Sequence, residues 1–161
     1  MANYTGANVI TTSDVLKYQP DAFDFGISTT ATETTNFLAQ TTNDILRALR
    51  VEWWQTYKTN IFTDITVLNT AEMDNTKVNL DQFERAGVYL FLGRFYLQAL
   101  TKFRPETEKD RFERMAEYYM AQYIIEWRMI LEDGVEYDAT ADGTIVANER
   151  EPLHGFRRLN R

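Results

Sequence analysis

The chain has 161 residues, enough for one domain with a sizeable core, and an ordinary globular composition rich in aromatic residues. Its formal charge of −7 and pI near 4.8 exclude nucleic-acid binding by phosphate neutralisation, which needs a basic footprint. The absence of cysteine excludes disulfides, thiolate metal sites and a cysteine nucleophile, and fits a reducing compartment.

Residues 1–27 read as mostly irregular. The start, MANYTGANVI, has neither a basic n-region nor a long apolar core, so no signal peptide is expected. Residues 13–18 read as one short helical turn, capped by Ser13 and ended by Pro20. Phe23, Phe25 and Ile27 alternate and are expected to pin this segment onto the body.

A first long helix is expected over 32–58. Phe37, Leu38, Thr41, Ile45, Leu49, Trp53 and Tyr57 recur at three- and four-residue spacing, and Arg47, Arg50, Glu52 and Lys58 form the wet face. Its start is open, because threonine has modest helix propensity and Thr42 or Asn43 is an alternative cap. Trp53 and Trp54 are adjacent, hence about 100° apart on a helix. One of them is therefore expected to face a second partner.

Residues 59–78 make a connection of unusual length. Ile61, Phe62, Ile65, Val67 and Leu68 are too apolar for a floppy linker, so a short strand or extended packed segment is expected near 61–68. Residues 72–77 read as an exposed turn.

The helix expected over 79–103 is the one around which the chain is organised. Asn79 is its N-cap and Gln82 its capping-box partner, Asp81 and Glu84 suit the first turn, Lys102 and Arg104 suit the other end, and Pro105 stops it. Phe83, Gly87, Leu90 and Leu97 form one stripe, and Val88, Phe91, Phe95 and Ala99 another. Tyr89, Leu92 and Tyr96 close most of the remainder. Such a helix must be covered on several sides, by its own chain or by neighbouring subunits. Arg85, Arg94 and Lys102 interrupt it, well short of the roughly 20 apolar residues a bilayer needs. Arg94 needs an acidic mate, Glu126 or a carboxylate of a neighbouring chain.

A third long helix follows Pro105 and ends near Asp133, antiparallel to the second. Its stripe is Phe112, Met115, Tyr119, Tyr123, Trp127 and Ile130, and Gly134 takes the αL position after it. Residues 135–137 and 144–146 read as two strands of a hairpin turning at Asp142-Gly143. The tail, ANEREPLHGFRRLNR, carries Leu153, Phe156 and Leu159 at three-residue spacing beside Arg157, Arg158 and Arg161.

Catalytic chemistry is sparse. His154, the single histidine, lies in the tail. Glu113, Glu117, Glu126 and Glu132 lack the Glu-x-x-His pairs of di-iron bundles and read as a solvated face. There is no P-loop, GxGxxG or G-x-S-x-G pattern. Asp133, Asp138 and Asp142 do not have EF-hand spacing. The aromatic pairs Trp53-Trp54, Tyr118-Tyr119 and Tyr123/Trp127 lie on helical stripes of an acidic chain, so core or subunit interface is expected rather than base stacking. No enzyme is expected, and no catalytic, cofactor or metal residue.

This layout resembles the head–tail connector (adaptor) proteins of tailed bacteriophages. The resemblance runs from about Asp14 to the end. It rests on AQTTNDILRALRVEWW, on DQFERAGVYLFLGRFYLQAL, and on EYYMAQYIIEWRMILEDGVEYDATADG with its GVxYDxxxDG pattern (Gly134 to Gly143), followed by the arginine-rich end. The long 59–78 connection departs from it. The expected fold is mainly α: a bundle of three long helices plus a short N-terminal helix, a small C-terminal β-hairpin and an extended C-terminal arm. The expected division is a helical adaptor domain, 1–146, and a docking arm, 147–161. The resemblance implies a structural virion protein of the neck, assembled in the host cytoplasm. It would form a homo-oligomeric ring, commonly of twelve copies, on the portal protein, extend the DNA channel and present a platform to the next neck or tail protein. DNA would pass without specific binding, helped by the acidic surface, and no membrane or cofactor is involved. The arm residues expected to dock on the portal are Leu153, Phe156, Arg157, Arg158, Leu159 and Arg161. Those expected at the subunit interface are Trp54, Tyr89, Arg94 and Tyr96. The alternatives are another phage structural protein (tail-completion or capsid-associated) and a non-viral helical binding module.

Overall fold

The computed structural model describes residues 7–101, 110–144 and 149–151. It is mainly helical. Among the described residues there are five helices: α1 (Thr12–Tyr18), α2 (32–61), α3 (Ile65–Thr70), α4 (84–100) and α5 (Arg111–Asp133). Two-residue strands follow, β1 (Val135–Glu136) and β2 (Arg150–Glu151). The three longest helices, α2, α4 and α5, stand where three long helices are expected.

α1 starts one residue earlier than expected and is capped by Thr11, not Ser13. The Thr11 hydroxyl accepts from the Asp14 N–H at 3.3 Å while the Asp14 carboxylate accepts from the Thr11 N–H at 2.8 Å. This reciprocal pair satisfies two backbone donors at once. α2 begins at Thr32, so neither Thr42 nor Asn43 is its cap. Thr41 and Thr42 sit inside the helix and donate to the carbonyls of Phe37 and Leu38 at 2.8 and 3.1 Å. The Thr42 hydroxyl also accepts from the Val9 N–H at 2.9 Å, which anchors the irregular N-terminal stretch.

Both α2 and α4 contain a widened π turn, Leu49–Trp53 and Phe91–Tyr96 respectively. A π turn inserts one residue into the helical repeat and rotates everything after it. After its own π turn, α2 continues to Ile61, past the expected end at Lys58.

The strand expected near 61–68 is a helix instead. The Asp64 carboxylate accepts from the Thr66 N–H at 2.8 Å and so opens α3. Asp74 likewise opens a 3-10 turn, Asn75–Lys77, within the expected turn region. α4 starts at Glu84, after a 3-10 turn over Asp81–Phe83, rather than at an Asn79 cap. Asn79 is turned to β1: its amide donates to Glu136 Oε2 at 2.6 Å while its own oxygen accepts from the Asp81 N–H at 3.2 Å. Gln82 donates to the Asn79 carbonyl at 2.9 Å. α4 ends at Leu100. Lys102, Phe103, Arg104 and Pro105 lie outside the described residues.

Gly134 closes α5 with φ 105°, and its N–H bonds to the Ile130 carbonyl at 3.0 Å, as expected of an αL cap. The expected hairpin is replaced. β1 pairs antiparallel with β2, Val135 opposite Glu151 and Glu136 opposite Arg150, and Tyr137 bridges to Val78. Thr144 is not in a strand, and 145–146 lie outside the described residues. The Asp138 carboxylate accepts from the N–H groups of Asp142 and Gly143 at 3.2 and 2.9 Å and holds a turn there.

The chain forms two compact units. Unit 1 comprises Met1–Ala7, Ile45–Gln82 and Arg128–Arg161, and unit 2 comprises Asn8–Asp44 and Phe83–Trp127. Unit 1 is centred on Trp53, Trp54, Tyr57 and Tyr137, whose ring centroids lie 4.4–6.0 Å apart. Unit 2 is centred on α4, with Phe83, Val88, Leu90, Phe91, Leu92, Tyr96 and Leu97 buried. Among the described residues no helix is long and apolar enough to cross a membrane.

Candidate interaction surfaces

Within unit 2 the chain itself covers much of α4. Phe83 lies 5.8 Å from Trp127, Tyr89 lies 6.0 Å from both Tyr18 and Tyr119, Phe95 stacks on Phe37 at 5.9 Å, and Tyr96 meets Phe23 edge-on at 5.2 Å (centroid distances). The Tyr96 hydroxyl donates to the Ile27 carbonyl at 2.8 Å, so the N-terminal segment is pinned at Phe23 and at the Ile27 backbone; the Phe25 side chain lies outside the described residues. Gly93 lets α5 approach closely. A Cβ there would stand 2.8 Å from the Met120 N and Cγ and 3.0 Å from the Ala116 carbonyl.

The four expected subunit-interface residues therefore separate. Tyr96 is fully buried in unit 2. Trp54 is buried in unit 1, where its indole donates to the Ala71 carbonyl at 3.3 Å. Neither side chain is on the surface of its unit. Trp53 and Trp54 share one aromatic cluster, and neither turns to a second partner. Tyr57 and Tyr137 each meet both indoles and supply the walls of the cluster.

Tyr89 is half-buried and Arg94 exposed. The carboxylate facing Arg94 is Asp44, at 3.4 Å, not Glu126, which lies 3.5 Å from Arg85. The arm residues Leu153, Phe156, Arg157, Arg158, Leu159 and Arg161, and His154 with them, lie outside the described residues. The first part of the expected arm is not free of the body. Glu149 is buried, and Arg150 and Glu151 form β2, with the Arg150 guanidinium bonded to Glu136.

Sequence reasoning missed the exposed apolar residues. In unit 1, α3 has no buried residue although half of it is Ile, Val and Leu, and Ile65 is 68% exposed. Val51, Ile61, Val67 and Met129 are exposed in the same unit. In unit 2 the exposed set includes Tyr118, Ile124 and Ile125, and Tyr118 and Ile125, seven apart on α5, share a face. Apolarity at 61–68 reads as packing in the sequence. The Asp64 cap followed by a short apolar run was the available sign of a separate helix. Burial pushes the phenols of Tyr119 and Tyr137 above their ordinary range, consistent with structural positions.

Compared with known proteins, the chain matches no family model, no curated protein and no solved structure.

Proposed function

We propose that the chain is a structural, non-enzymatic virion protein: a head–tail adaptor that forms a homo-oligomeric ring of about twelve copies on a phage portal. In this reading the three long helices pack as the bundle of the adaptor body. The ring extends the DNA channel without binding DNA specifically and offers a platform to the next neck or tail protein, in the virion neck. The observation that carries it is the order of elements. Three long helices at the expected places lead through Gly134 and the Asp138 turn into a strand and then an arginine-rich tail. The exposed apolar residues of α3 and α5 support assembly, because surface of this kind is often an interface.

The structure changes one part of the case. α4 is largely covered by its own chain, so its girth alone does not call for neighbours. The alternative readings are another phage structural protein and a monomeric helical binding module, and the second is favoured by that self-coverage. Mass photometry of the protein alone and mixed with the portal ring from the same source separates them. A gain of about twelve chains on the ring supports the adaptor. No gain, with a monomer or dimer alone, rejects it. Deleting 152–161 is expected to leave a folded protein that no longer joins the portal, and undiminished joining overturns the arm assignment.

A further inference from the structure

We propose that the chain assembles head to tail, with α3 of one copy packing on the outward face of α5 of the next. This deepens the ring reading by naming its subunit contact, and it rests on that reading only in requiring that the chain self-associate. On α3 the apolar residues Ile65, Val67 and Leu68 fall in one sector with Leu68 in the middle, four residues after the Asp64 cap. Leu68 is half-buried, but Ile65 and Val67 on either side of it are 68% and 42% exposed. On α5 the side away from the buried Ala116, Tyr119, Trp127 and Ile130 carries Tyr118 and Ile125, which are 60% and 53% exposed. Each surface leaves large apolar side chains in water that a partner would bury.

Charge selects the pairing. Residues 59–76, the stretch around α3, contain Asp64, Glu72 and Asp74 and no lysine or arginine. The outward face of α5 is framed by Arg114, one turn before Tyr118, and Arg128, one turn after Ile125, with the small Ala121 between the two large side chains. Both arginines are exposed, and neither is in an ion pair among the described residues. Pairing α3 with α3 would set carboxylates against carboxylates, and α5 with α5 would set guanidinium groups against each other, so both like-with-like arrangements are opposed. Setting α3 on α5 brings opposite charges to the rim and apolar side chains to the centre, as in other protein interfaces. The contact is heterologous. Each copy offers one surface on unit 1 and a different one on unit 2, so it binds two neighbours, and growth ends where the rotation closes a ring.

The chain has no cysteine, so introduced thiols are the only ones present. Full-length Ile65→Cys and Ile125→Cys chains, one enlarged by a tag, are mixed and treated with a bismaleimide spanning about 10 Å, the separation of packed helices. The reaction is run on the chains alone and on the chains with the portal ring. The mixed 65–125 product should exceed either homodimer by about tenfold. A statistical mixture, or homodimers in excess, overturns the proposal. Arg114→Glu and Arg128→Glu together, at exposed positions, should cut the mixed product by about tenfold and leave the Tm unchanged. An undiminished product overturns the pairing. With both chains ended at Glu151 the product should be unchanged. A product that appears only after this deletion shows that the chain's own tail covers α3, and it too overturns the proposal. A mass gain on the portal without the mixed product rejects this contact and leaves the ring reading standing. The mixed product without a portal gain does the reverse.

Discussion

Gly93 is the residue on which the approach of α4 to α5 depends. The atoms that a Cβ would meet include the backbone of Met120 and Ala116, which cannot swing aside. Gly93→Ala is expected to destabilise by about 1–3 kcal/mol through overpacking, despite its better helix propensity. A denaturant titration checks this, and an unchanged midpoint refutes the close approach. Asp14 makes a pH prediction. Burial acts against its charge, but hydrogen bonds from Lys17 and Thr11 outweigh it and hold the carboxyl below its ordinary range. A lowered folded-state pKa gives stability that is complete above the unfolded pKa and is lost as pH falls through the folded value. The melting midpoint of the wild type should therefore drop below about pH 4 more steeply than that of Asp14→Asn. Tyr137 shows the cost of a buried hydroxyl that accepts the Asp74 N–H at 3.3 Å. Tyr137→Phe should lower stability by about 1 kcal/mol.

Among the elements, the π turns and the C-terminal strand carry the departures from simple periodicity. Counting at 3.6 residues per turn separates Trp53 from Trp54, yet both join one cluster because Tyr57 and Tyr137 are large enough to meet both rings. The signal for β2 was hidden because Arg150 and Glu151 are polar and short. Their role comes from Glu136, a buried acid that receives Arg150 and Asn79. A chain ending at Glu151 keeps both strands. A chain ending at residue 146 loses β2 and the Glu149 contacts to Thr140, and should be less stable by about 1–3 kcal/mol. Thermal melts of the two truncations distinguish the strand from the tail beyond it. Equal melts would show that β2 contributes nothing to the fold.

For the molecule as a whole, the sequence by itself determined the helical class, the places of α2, α4 and α5, the Gly134 stop and the acidic charge. These follow from signals within a few residues of one another: apolar periodicity, caps and a glycine that accepts positive φ. Only the tertiary structure decided who covers whom. Periodicity marks a face as apolar, but it does not say whether that face is met by the same chain, as for Tyr96 and Trp54, or left exposed, as for Ile65. The same holds for charge. Arg94 advertises a need for an acid, and Asp44, fifty residues earlier in the chain, answers it. Asn79 and Glu136 meet across 57 residues, and Tyr96 reaches Ile27 across 69. Such contacts depend on the path of the backbone between them, which local propensity does not encode.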